Sequence, residues 1–204
     1  MSLKVLTAPA VEPVSLSDMK LHLRVDHSAD DSLISALISG ARDYVERNTR
    51  RTLIHTTYRL MMDWFPADHI ELPRGPVAQI AVAGSYSYAM PRIRYYDQDS
   101  TLQTLTYADE DFHLDLDNNP PRLCLLPLSI WPLTEIGRTN AVEVDFVSGF
   151  SSTAAGVPQL LIQCVKLLVA HWYENRSAVQ PGFGGEVPMA VDSILKIYSA
   201  GDYQ

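Results

Sequence analysis

The sequence predicts an α+β protein: a helical bundle from N- and C-terminal helices with an inserted antiparallel β unit. Three observations carry this expectation. Residues 30–51 and 158–176 place apolar side chains at helical spacing. Residues 53–150 break into short runs rich in β-branched and aromatic side chains, separated by Pro, Gly, Asn and Asp clusters. Helical character returns only after Gly149. The expected division is a helical domain of residues 1–52 plus 151–204 and an inserted β domain of residues 53–150.

The first helix is expected from "PVSLSDMKLHLRV". Ser15 with Asp18 three residues on has the shape of a capping box, Asp standing in for the usual Glu. Leu16, Met19, Leu23 and Val25 supply its apolar face, and "DHSAD" stops it. The second helix starts at Ser28 or Asp30. Leu33, Ile34, Leu37, Ile38, Ala41, Tyr44 and Val45 fall on one stripe. Asp30 and Asp31 in its first turn, and Arg47, Arg50 and Arg51 near its end, suit the helix dipole.

After Arg51 the pattern turns β-like. "TLIHTTYRLMMDWFP", "RIRYYD", "TLQTLTY", "DFHLDLD", "RLCLLPL" and "AVEVDFVSGF" read as strands. In the fourth, Phe112, Leu114 and Leu116 alternate with His113, Asp115 and Asp117, the period of a half-buried strand. "VPQLLIQCVKLLVAHWYENR" is the third helix, with Pro158 at its first position. Gln159, Gln163, Lys166 and Glu174 form a narrow polar stripe, and a helix so apolar elsewhere has to be covered on most sides. Residues 177–187 read as a flexible glycine-containing loop. Pro188 opens a last helix with Met189, Ile194, Leu195 and Tyr198 as its contact residues.

The 204-residue chain is 47% hydrophobic and 20% charged, an ordinary globular composition, and its formal charge is −8. That charge argues against a free nucleic-acid reader, which needs a basic footprint. Nothing approaches a membrane span or a secretory signal, so the expectation is a soluble protein made inside the cell. Cys124 and Cys164 sit in apolar runs and read as small buried hydrophobes.

Chemical motifs are weak. His171 and Glu174, at i and i+3, could share a proton or a metal. Zinc needs a third protein ligand, however, and no second such pair exists. "DLDNNPPRLCLL" places Asp115, Asp117 and Asn119 at alternate positions, but Pro120 and Leu126 stand where a calcium loop needs Gly and Glu; the segment reads as a hairpin turn. Asp109, Glu110 and Asp111 read as a solvated edge. "GFGGE" lacks the strand before it and the Lys-Ser/Thr after it that a phosphate cradle needs. No catalytic residue, metal ligand or cofactor is assigned.

The order of these elements resembles a family. "VSLSDMKLHLRVDHSADDSLISALISGARDYVERNTRRTLI" is similar to the N-terminal half of tailed-phage head–tail connector (adaptor) proteins, and "VPQLLIQCVKLLVAHWYENRSAV" to their C-terminal half. "DWFPADHIELPRGPV" resembles the middle of longer members that carry a β insertion. The likeness spans residues 12–200, and the stretch 84–110 takes no part in it. It implies a virion component rather than an enzyme, placed at the head–tail junction and present in host cytoplasm during assembly. The implied partners are the portal, the next connector or tail-completion protein, and further copies of itself in a ring of about twelve. Double-stranded DNA would pass through without sequence-specific binding, and no membrane is involved.

A ring needs two different adhesive faces per subunit. Trp172, Tyr173, Glu174, Arg176, Met189, Ile194, Leu195 and Tyr198 are the expected subunit or portal interface. Glu174 and Arg176 would serve as rim ion pairs. The competing readings are a small metal-dependent hydrolase using His171 and Glu174, and another phage neck or tail-completion protein.

Overall fold

A computed structural model describes residues 1–78, 80–81, 88–105, 112–175 and 189–199. The chain separates into two compact units, Met1–Pro9 with His55–Phe150, and Ala10–Ile54 with Ser151–Gln204. The expected 177–187 loop and the carboxylates 109–111 lie outside the described residues.

The second unit is helical: α1 (Leu16–Leu23), α2 (Asp31–Thr49), α3 (Gln159–Glu174) and α4 (Met189–Tyr198), with a 3-10 turn at Ala154–Gly156 before α3. The Ser15 cap forms as its sequence demands. Its Oγ accepts from the Asp18 N–H at 3.1 Å and donates to the Asp18 carboxylate at 2.7 Å. Arg24 adopts φ 58, a left-handed turn that ends α1 and lets the Arg24 and Val25 N–H groups reach the Leu21 and Lys20 carbonyls. Lys20 then bridges to Asp31 at 2.6 Å, joining α1 to the start of α2.

Ile34, Ile38, Ala41 and Val45 are the buried stripe of α2, while Leu37 and Tyr44 are half-buried and Leu33 is exposed. On α3 the buried set is Leu161, Cys164, Val165, Leu168 and Val169, a single i, i+3, i+4, i+7, i+8 face. Burial pushes the Cys164 thiol up to about 11. Pro158 stands just before the helix, with ψ 130, rather than at its first position; its carbonyl accepts from the Leu161 and Ile162 N–H groups. The helix α3 packs on α2, and α4 lies against both. Glu46, 5% exposed, accepts from the Leu53 N–H at 2.8 Å and ties the exit of α2 back onto the helix.

The first unit is β. Its strands are β1 (Ser2–Thr7), β2 (Thr56–Met62), β3 (His69–Glu71), β4 (Val77–Ala78), β5 (Ile80–Ala81), β6 (Tyr88–Met90), β7 (Arg92–Tyr96), β8 (Leu102–Leu105), β9 (Phe112–Asp115), β10 (Arg122–Leu125) and β11 (Val142–Ser148). An antiparallel sheet runs β1-β2-β11-β7-β8, with β4 also on β11. A second sheet runs β3-β10-β9, and β5 pairs with β6.

Alternation selects the inner face. Tyr58, Leu60 and Met62 of β2 and Val142, Val144 and Phe146 of β11 meet Ile70, Phe112, Leu114 and Leu123 of the smaller sheet in one core. The β9–β10 hairpin is the turn expected around Asp117–Pro121, and Leu116 falls outside the strand and is exposed.

The N-terminus differs from expectation. The sequence places residues 1–52 together in the helical domain, whereas Ser2–Thr7 pairs with β2 in the β unit. The reason is physical. As an edge strand it half-buries only Leu3, and its alternation, Leu3 and Val5 around Lys4, is too short to mark a strand.

Candidate functional site

The end of α3 carries the polar cluster singled out in the sequence. Trp172 is half-buried and meets Tyr44 of α2 edge-on, ring centroids 6.0 Å apart. Tyr173 donates its hydroxyl proton to Asp30 at the start of α2. Both aromatic residues thus tie α3 to α2 inside the subunit. Asn175 donates to the His171 carbonyl at 2.8 Å and closes the helix end. His171 is half-buried and Glu174 is exposed. Among the described residues no group of three or more His, Cys, Asp and Glu side chains is placed to hold a metal ion. Arg176 lies outside the described residues.

The last helix divides its side chains sharply. Val191 and Leu195 are buried, so Leu195 packs within its own unit; Ile194 and Tyr198 are half-buried. The Tyr198 carbonyl accepts from Arg51 Nε at 2.8 Å, which clamps the end of α4. Met189 and Ile197 are exposed, and with Ser193 they form an i, i+4, i+8 row on the outer side. Sequence reasoning missed Ile197. Its position two turns from Met189 was the available signal.

The β unit holds two surfaces that sequence reasoning also missed. On the sheet face opposite the core, Asp145 of β11 lies between Arg59 of β2 and Arg92 of β7 in register. Arg59 reaches it through Nε at 2.7 Å and Nη2 at 3.1 Å, and Arg92 at 3.2 Å. Arg94 pairs with Glu143 at 2.7 Å. Burial pushes the Asp145 carboxyl up. The hydrogen bonds from Arg59 and Arg92, with the charges of Arg59 and Arg94, outweigh that and hold it below the usual carboxylate range.

The second surface is the run between β10 and β11, with Trp64 beside it. Phe65 stacks on Trp131, centroids 4.9 Å apart and planes within 4°, and meets Tyr95 edge-on. The Glu135 N–H donates to the Tyr96 carbonyl at 3.0 Å, and the Asn140 N–H to Asp63 at 2.8 Å. Arg138 lies 3.4 Å above the Tyr96 ring and pairs with Glu135 at 2.9 Å. On this pinned frame Trp64, Leu128, Ile130, Leu133 and Ile136 point to solvent. The expected strand "RLCLLPL" runs to Leu128, whereas β10 ends at Leu125; beyond it the stretch fits neither the helical nor the strand period and is broken by Pro127 and Pro132.

No curated protein matches the sequence. Solved structures do. The chain is similar to one in "Neck of empty GTA particle computed with C6 symmetry", at 25% identity and a TM-score of 0.78, covering 98% of this chain and 96% of that one. Chains in "Virion of native gene transfer agent (GTA) particle" and "Neck of native GTA particle computed with C12 symmetry" share its fold at 24% identity, with TM-scores of 0.77 and 0.71 and the same coverage. The profile of the family described as "Phage gp6-like head-tail connector protein" matches residues 13–116, just over half of the chain. The α+β fold, the ordered helical halves and this match agree with one another and with no enzyme: the chain belongs to the phage gp6-like head-tail connector family, structural proteins of the virion's head–tail junction.

Proposed function

We propose that the protein assembles as a ring beneath the portal, about twelvefold by analogy with the family. There it extends the DNA channel and offers its far side to the next connector or tail-completion protein. The observation that carries this reading is the likeness of fold over 98% of the chain to a neck component computed with cyclic symmetry. The helical unit, Ala10–Ile54 with Ser151–Gln204, is the connector body, and the β unit, Met1–Pro9 with His55–Phe150, is an added domain.

Met189 and Ile197 of α4, held outward by the buried Val191 and Leu195, are the portal-docking row, with Ile194 and Tyr198 at its border. Glu174, exposed at the end of α3, belongs to the rim, as does Arg176 by its place in the sequence. Trp172 and Tyr173 support this surface through their contacts with α2. The −8 charge suits a wall past which DNA slides, since phosphate is repelled rather than held.

Co-sedimentation with the portal protein of the same genome tests the reading. Saturable binding near one copy per portal subunit is expected. A chain that stays in the supernatant at every ratio refutes it.

A further inference from the structure

The outer face of the smaller sheet carries a row of side chains that assembly on the portal does not use. In the β3-β10-β9 register, Cys124 stands directly opposite His69 on one side and His113 on the other. The adjacent residues Ile70, Leu123 and Leu114 are buried in the core, so alternation turns all three toward the outer face. The sequence reads Cys124 as a buried hydrophobe, whereas it is only half-buried; His69 is half-buried too, and His113 is exposed. No local spacing marks the row, because strand pairing alone brings its members together.

Two imidazoles flanking a thiol are a donor set for a borderline-soft metal ion. Thiolate sulfur and imidazole nitrogen suit zinc and its neighbours, whereas magnesium and calcium take oxygen. Directly opposed strand residues hold their Cβ atoms about 4.5–5.5 Å apart. An ion ~2.3 Å from the Cys124 sulfur is therefore within an imidazole's reach from either side, at ~2.0–2.1 Å. The side chains as they stand are not gathered to a common point. Gathering them takes rotation about side-chain bonds and no movement of the strands. His113 is exposed and free to turn, and the contact of the His69 Nε2 with the Glu71 carboxylate is a loose 3.8 Å.

The next row on the same face, Glu71, Arg122 and Asp115, favours a cation. Arg122 pairs with Asp115 at 2.9 Å, and Glu71 adds a second carboxylate, so two acids stand against one base. A carboxylate beside a ligating imidazole also fixes the orientation of its ring.

We propose that His69, Cys124 and His113 bind a metal ion of the zinc class, which clips β3, β10 and β9 together. On binding, the Cys124 thiol gives up its proton to solvent and the sulfur bonds to the ion. Glu71 orients His69, and water takes the open fourth position. The site makes no call on the portal, so it stands or falls apart from the ring reading.

Cobalt(II), titrated into the full chain kept reduced and free of other metals, tests this by absorption. A thiolate-to-cobalt charge-transfer band that saturates at one ion per chain and is bleached by zinc is expected. Zinc should also raise the melting temperature of the wild type. Cys124→Ser should abolish the band. His113→Ala, a change at an exposed position, should weaken binding at least about tenfold and remove the zinc-dependent rise in melting temperature. His22→Ala, at an exposed histidine of α1, should leave both readings unchanged. A wild type that shows no charge-transfer band overturns the proposal. So does a band that His113→Ala leaves at full affinity, or zinc that shifts the melts of wild type and His113→Ala alike, since either result is adventitious binding only.

Discussion

At the scale of single residues, the strongest electrostatic commitment is Asp145. It is 1% exposed and receives hydrogen bonds from Arg59 and Arg92. Removing its charge leaves Arg92, half exposed, without its carboxylate and Arg59 with Glu143 alone, 3.2 Å away, so Asp145→Asn should cost about 1–3 kcal/mol in a denaturant titration at neutral pH. The folded carboxyl titrates below its unfolded value of about 3.9. Its contribution is therefore fully present above that pH and is lost as pH falls through the folded value. The gap between wild type and variant should narrow in acid; a gap constant from neutrality to pH 3 would contradict the assignment.

Gly40 offers a change of opposite sign. It lies inside α2, and an added Cβ would sit 3.8 Å from the Trp172 ring, an ordinary contact. Gly40→Ala should stabilise by roughly 0.5–1 kcal/mol, read as a raised melting temperature. The sequence marks "AVEVDFVSGF" as a strand but holds no sign that arginines from β2 and β7 converge on Asp145, because strand register is a long-range property.

At the scale of elements, legibility followed local signals. The Ser15 cap, the stripe of α2 and the buried face of α3 were readable because caps and 3.6-residue periodicity lie within one segment. Alternation marked Phe112 and Leu114 in β9. The edge strand β1 and the 129–139 run went unread: the alternation of the first covers only Leu3 and Val5, and the second follows no period. In the polar end of α3, Trp172 and Tyr173 touch Tyr44 and Asp30, partners that only folding brings near. The helix α4 separates folding from docking. Met189→Asp with Ile197→Asp changes only exposed positions, so the melting temperature should stay within about 1 °C while portal affinity falls at least tenfold. A parallel loss of stability, or unchanged affinity, would count against this division. Leu168→Ala, which empties a fully buried site on α3, should by contrast cost about 2–5 kcal/mol.

At the scale of the whole molecule, the family match and the two outward apolar surfaces point to a protein that works by contact. The family was readable from the order of its helical halves; the surfaces through which it assembles were not, since exposure depends on the finished fold. Cryo-electron microscopy of the protein mixed with the portal of its own genome tests the central claim most directly. A coaxial ring added to the portal, with α4 at the contact, is the predicted result. A portal that remains bare under saturating protein contradicts it.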